Sequence, residues 1–191
     1  MSLFLLLCYN NLAIAMVYYE PGQDRNGAAL RRSGHVRWFY IMDRSDEKFM
    51  AQALKEAEIS ANFDEVPVGA VIVKDGKIIA RGHNLRERKN DPTAHAEIVA
   101  IRKACKKLKS WRLEGCTIYV TIEPCSMCAG TLLWTRIDRI VYGANDPKGG
   151  AMGSSYNLFE VKNINHHPKI TRGVLENRCA DLMKSFFRNK R

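Results

Sequence analysis

His95 and Glu97 stand two residues apart in Thr93-Ala94-His95-Ala96-Glu97, and thirty residues further on Cys125 and Cys128 stand three apart in Glu123-Pro124-Cys125-Ser126-Met127-Cys128. One imidazole and two thiolates supply three ligands to a zinc ion and leave its fourth tetrahedral position open, which separates a catalytic ion from a structural one. Cysteines three apart on a first helical turn face the same way, so their sulfurs can converge. Helix N-termini favour thiolates through their positive potential. Two thiolates cancel the charge of the ion, and zinc lowers the pKa of bound water from about 15.7 towards 7 in suitable sites, leaving a centre able to carry hydroxide. Glu97 is not needed as a ligand. Its carboxylate is free to take a proton from that water and deliver it to a ring nitrogen and then to a leaving amine. Hydrolytic deamination of an amino-substituted ring requires that set of groups.

Each part taken alone has a plainer reading. A Cys-x-x-Cys is often half of a structural zinc site or a redox pair, and a lone histidine is usually packed. Here no fourth Cys or His falls at structural-site spacing. His166-His167, between Asn165 and Pro168, reads as a loop. Jointly, H-x-E and P-C-x-x-C are the signature of zinc nucleobase deaminases. The signature leaves the ring open: a free nucleobase or nucleotide such as guanine, cytosine or deoxycytidylate fits it as well as a base in nucleic acid.

These residues need a scaffold, and the pattern predicts one. Phe49, Ala53, Leu54 and Ala57 place a helix over 45–60. Val68–Val73 and Lys77–Arg81 flank Asp75-Gly76, a hairpin signal. Pro92 and Thr93 are predicted to open a helix with Ile98, Ile101, Ala104, Cys105 and Leu108 on one face. Thr117–Ile122 reads as a buried strand, Pro124 as the start of another helix, and Arg139–Tyr142 as a further strand. Gly149, Gly150 and Gly153 lie in a loop before a last helix over Leu175–Phe187. Strands alternating with helices after a hairpin predict an α/β fold, a three-layer α/β/α sandwich on a mixed sheet.

The chain has 191 residues and a formal net charge of +10 from 30 Lys and Arg against 20 Asp and Glu. A hydrophobic content of 46% excludes a disordered polyelectrolyte, and the charge suits a polyanionic partner. Cys105, Cys116 and Cys179 sit among apolar residues and read as small buried hydrophobes. Residues 1–41 differ from the rest. Leu3–Tyr19 is apolar but broken by Asn10-Asn11, is short for a membrane span, and lacks the preceding basic residues of a signal. The segment reads as an N-terminal extension, disordered or a non-native upstream translation, with the folded domain over 42–191. No membrane association is expected.

From about Asp46 onward the sequence resembles the bacterial tRNA-specific adenosine deaminases. The resemblance is carried by Glu65-Val66-Pro67-Val68-Gly69-Ala70, Gly82-His83-Asn84, Asp91 to Glu97, Glu123 to Gly130, Arg136 to Ala144, Asp146, Gly153-Ser154 and Phe186-Phe187-Arg188. It implies the cytidine deaminase-like sandwich on a five-stranded sheet, a cytoplasmic homodimer with one Zn2+ per subunit, and hydrolysis of the wobble adenosine of a tRNA anticodon stem-loop to inosine. Carried across by position, it implies that Asn84 hydrogen-bonds the flipped adenine, that Val66 and Ile122 wall the base, and that Asp146 meets the neighbouring nucleotide. Phe187 beside Arg188, Lys190 and Arg191 suits base stacking with phosphate contacts, although a solvated tail is the simpler reading of that run. Arg102, Lys103, Lys106, Lys107 and Lys109 read as a solvated helix face.

Overall fold

Asp75 and Gly76 both adopt positive φ, 49° and 69°, the type I′ geometry that a two-residue hairpin demands. They join β3 (Gly69–Lys74) to β4 (Lys77–His83). The computed structural model describes residues 4–9, 12–17 and 44–190. Within it the chain divides into a unit Met1–Arg44 and a unit Ser45–Arg191. In the first, β1 (Phe4–Tyr9) pairs antiparallel with β2 (Leu12–Val17). The expectation of a disordered or non-native extension over 1–41 falls mostly on residues outside those described.

The second unit is built on a five-stranded sheet of order β4-β3-β5-β6-β7. β3 is antiparallel to β5 (Cys116–Ile122). The βαβ crossover through α4 (Ser126–Trp134) makes β6 (Arg139–Ala144) parallel to β5. β7 (Lys169–Thr171) adds a last parallel strand beside β6. The sheet is therefore mixed, as expected.

Period-two alternation divides the core into two layers. Ala70, Ile72, Ile118, Val120 and Ile140 face α3 (Ala96–Leu108) and α4, while Val71, Val73, Tyr119 and Val141 face α1 (Arg44–Asn62) and α5 (Glu176–Asn189). Two glycines bring helix and sheet into direct backbone contact. A Cβ on Gly69 would lie 2.0 Å from the Ala53 carbonyl oxygen, and one on Gly82 would lie 2.2 Å from that of Ala96. α3, which starts at the site, is thus pressed on β4 with no side chain between them.

Two helix starts differ from expectation. Asp91 Oδ1 accepts hydrogen bonds from the Thr93 amide (2.8 Å) and hydroxyl (2.6 Å), folding Pro92-Thr93 into a turn, so α3 begins only at Ala96. α4 likewise begins at Ser126, two residues after Pro124. Two elements carry no readable period: the four-residue α2 (Arg86–Lys89) and β7. Among the described residues no helix is long and apolar enough to cross a membrane.

Candidate active site

The later helix starts have a chemical consequence. His95 and Cys125 occupy the N-cap positions of α3 and α4, both in extended conformation, and neither side chain caps its own helix. Side chains freed from capping turn towards each other. Cys128 follows in the first turn of α4 and is wholly buried. Two helix N-termini, with their unpaired N–H groups and positive potential, therefore converge on one spot.

His95 Nδ1 lies 3.7 Å from Cys125 Sγ and 3.6 Å from Cys128 Sγ, and the three ligand atoms all lie within 4.8 Å of one another. A tetrahedral zinc with Zn–S of about 2.3 Å and Zn–N of about 2.0–2.1 Å sets its N···S separations at about 3.6 Å. The donor set and its spacing fit that ion. These residues could hold it through Nδ1 and two sulfurs.

The electrostatics are those of a pair of thiols sharing a proton. A hydrogen bond from Cys128, reinforced by His95, holds the Cys125 thiol down to about 4. The same bond, with burial, pushes Cys128 up. His95 is raised first by its hydrogen bond to Cys125 and also by Glu97. Glu97, 3% exposed, has its carboxyl raised by burial, with the Cys125 sulfur adding to the effect. A carboxyl moved towards neutrality is suited to exchanging protons in both directions.

These groups open into a cavity of about 350 Å³, within the range of small-molecule sites. It lies at the carboxyl ends of β5 and β6, where open α/β sheets bind ligands. Of the residues expected in the site, Val66, Asn84, His95, Glu97, Ile122 and Cys125 line it, joined by Asp146 and Phe187. Cys128 stands behind the wall. Arg188 does not reach the cavity and bonds locally to Ser185 Oγ at 3.4 Å. Lys190 is already engaged, 2.9 Å from Asp64 Oδ1. The basic run on α3 is exposed along its length, from Arg102 to Lys109.

Asn84 is fixed through its backbone: its N–H donates to Val68 O (3.1 Å) and its carbonyl accepts from Ser60 Oγ (3.2 Å). Its side-chain Oδ1 is buried and has no partner. Buried acceptors without partners are rare and point to a strain reservoir or a ligand contact. Arg86, Lys148 and Met183 also line the cavity. Met183 could have been read one helical turn before Phe187. Arg86 and Lys148 sit in short or irregular segments with no periodic signal.

The profile of the MafB19-like deaminase family matches residues 44–191. A curated relative from Bacillus subtilis (strain 168), tRNA-specific adenosine deaminase, is 49% identical over 76% of this chain and 91% of its own. A solved structure from work on A-to-I editing by tRNA:A34 deaminases at the wobble position of transfer RNA is 46% identical, covers 71% of this chain and 98% of that one, and superposes with a TM-score of 0.67. Guanine deaminase from Bacillus subtilis is more distant, with 37% identity, coverage of 61% and 85%, and a TM-score of 0.50. The fold is that of the cytidine deaminase-like enzymes, whose cofactor is zinc, and a His/Cys/Cys group able to bind a metal is present. With half its aligned residues identical across nearly the whole length of such a relative, the chain belongs to the tRNA-specific adenosine deaminase family.

Proposed function

We propose that this protein hydrolyses the wobble adenosine of a tRNA anticodon loop to inosine and releases ammonia. The observation that carries the reading is one cavity lined by His95 and Cys125, with Cys128 behind its wall, together with a buried carboxyl, an unpaired amide oxygen and an exposed aromatic. Relatives named for this activity at 49% identity support it over the free-base alternative.

His95, Cys125 and Cys128 would hold the zinc, which when bound would supply the Lewis acidity that makes water a nucleophile near neutral pH. The chain's own residues do the remaining work. Glu97 takes a proton as water adds at C6 and places it on N1; it then takes the proton of the new C6 hydroxyl and passes it to the amine, so that the C6–N bond breaks, C6=O forms and ammonia leaves. Burial raises its carboxyl above the usual carboxylate range, the direction that suits a group acting as both base and acid. Asn84 Oδ1 gains a hydrogen-bond partner when the base enters, so the contact orients the ring. Val66 and Ile122 exclude water from its faces. Asp146 meets the adjacent nucleotide. Phe187, 47% exposed at the rim, stacks on a neighbouring base, and Arg188 contacts phosphate. A base in a loop is extruded for less than the few kcal/mol of opening a duplex.

The catalytic unit is 42–191, a division supported by the family match starting at residue 44. It acts in the cytoplasm as a homodimer with one zinc per subunit, a state that light scattering tests directly. The function is tested by incubating the zinc-loaded protein with an anticodon stem-loop carrying adenosine at the wobble position, with free adenosine and with guanine. Inosine from the stem-loop alone is expected. Turnover of guanine in preference to the stem-loop overturns the reading in favour of the free-base class.

A further inference from the structure

Glu65 and Glu123 are each 1% exposed, the most deeply buried carboxylates among the described residues. Both accept hydrogen bonds from the backbone of segments that form the cavity's rim. Glu65 takes the Arg88 amide (2.9 Å) on Oε1 and the Glu87 amide (3.2 Å) on Oε2. Those amides belong to α2, whose own N-cap residue, Leu85, makes no side-chain cap, and the same segment presents Asn84 and Arg86 to the cavity. Glu123 takes the amides of Met152 (2.8 Å) and Ser154 (3.1 Å) on Oε1 and that of Asp146 (3.1 Å) on Oε2. These belong to a second lip, the loop after β6, which presents Asp146 and Lys148.

The Glu123 lip shows how closely the fit is built. A Cβ on Gly150 would fall 2.4 Å from Glu123 Oε2 and 2.6 Å from the Asp146 carbonyl oxygen. Gly150 also bridges to Cys125, and Arg172 Nη2 donates to the Met152 carbonyl at 2.6 Å. A buried carboxylate is costly unless its lone pairs are filled, and charge-assisted bonds to it are among the stronger ones available. Five amides of short or irregular segments, which elsewhere would be mobile, are thereby tied down, three to Glu123 at the end of β5 and two to Glu65 in the bend before β3.

We propose that Glu65 and Glu123 are positioning residues that hold the two lips of the cavity in their substrate-binding geometry before the substrate arrives. The inference rests on the cavity being the site of the reactive base. Glu65 is outside the cavity lining, and Glu123, though it borders the cavity, has both oxygens taken up by the lip amides. Each acts through the lip it ties, so its loss lowers the fraction of molecules competent to bind. Apparent affinity scales with that fraction, and a lip docked a tenth of the time raises KM about tenfold.

The test compares Glu65→Gln and Glu123→Gln with the parent, all zinc-loaded and full-length, by hydrogen exchange without RNA and by steady-state inosine formation on the stem-loop. In the parent the amides of Glu87, Arg88, Asp146 and Ser154 near the rim, and that of the buried Met152, are protected. E65Q releases only the first two and E123Q only the last three. Each variant keeps one zinc per chain and raises KM about tenfold, with the larger share of the loss in KM rather than kcat. If a Gln variant does not fold, Gly150→Ala pushes the second lip off Glu123 from the other side and should show the same exchange and KM signature. Unprotected amides in the parent, loosening of both lips by either variant, or a KM within about twofold of the parent in a folded, zinc-replete variant overturns the proposal. Failure of the parent to form inosine on any RNA overturns the functional reading instead, because lip protection is read with no RNA present.

Discussion

Replacing Asn84 by Ala separates a recognition role from a structural one, since the two predict opposite outcomes. The backbone of Asn84 is held by Val68 O and Ser60 Oγ, so the truncation removes a side chain without moving the strand end. In the empty protein Oδ1 has no partner, and a buried unpaired acceptor costs about 1–3 kcal/mol. Removing it returns that cost and forfeits packing of about 1 kcal/mol. Unfolding free energy should therefore hold or rise by up to about 2 kcal/mol. With substrate bound the sign reverses. Leaving one desolvated partner unsatisfied, at about 1–3 kcal/mol, corresponds to a fall of about 5- to 150-fold in kcat/KM. Single-turnover inosine formation on the stem-loop and urea unfolding of the zinc-loaded protein measure the two quantities. A kcat/KM within threefold of the parent, or a stability loss above about 2 kcal/mol, refutes the assignment and makes Asn84 a packing residue.

Glu97→Gln keeps the shape of a side chain 3% exposed but not its proton chemistry. Zinc content should hold while kcat falls at least about 100-fold, and near-normal turnover removes Glu97 from the mechanism. After chelation Cys125, held down to about 4, is almost wholly thiolate at pH 6, whereas Cys179, pushed up to about 11 by burial, remains protonated. Iodoacetamide at pH 6 should therefore modify Cys125 in the chelated protein and spare Cys179, as peptide mass mapping shows; zinc should protect Cys125. Arg188→Gln should reduce the slope of RNA affinity against salt by about one ion. Lys190→Gln, which breaks the Asp64 pair, should move that slope less, and equal effects count against the distinction.

Much of this arrangement was legible in the sequence because its signals are local. The hairpin follows from Asp75-Gly76, the core from alternating and helical periods, and the metal group from residue types at fixed spacing. Where the reading went astray, side chains competed with propensity. Pro92 and Pro124 are good first-turn residues, but the Thr93 bonds to Asp91 delay α3, and the ligands take the N-cap positions. Non-local pairings left no trace at all. β7 is three residues long and exists because β6 offers it an edge. The unpaired Asn84 oxygen and the amides held by Glu65 and Glu123 depend on contacts across 22 to 31 positions, which no local period encodes. Cys105, expected among the buried thiols, is partly exposed and bonds to the Trp111 carbonyl.

The close approach at Gly82 has a consequence for how such a protein can change. Any side chain there would drive α3 off β4 and carry His95 and Glu97 with it, so the catalytic platform tolerates almost no sequence drift along that seam. The rim, by contrast, rests on the loop after β6 and the end of α5, whose outward residues are exposed, such as Lys148 and Phe187. Diversification towards new substrates would therefore accumulate at the rim while the seam stays invariant. Saturation mutagenesis should divide into an intolerant interior stripe and a permissive mouth.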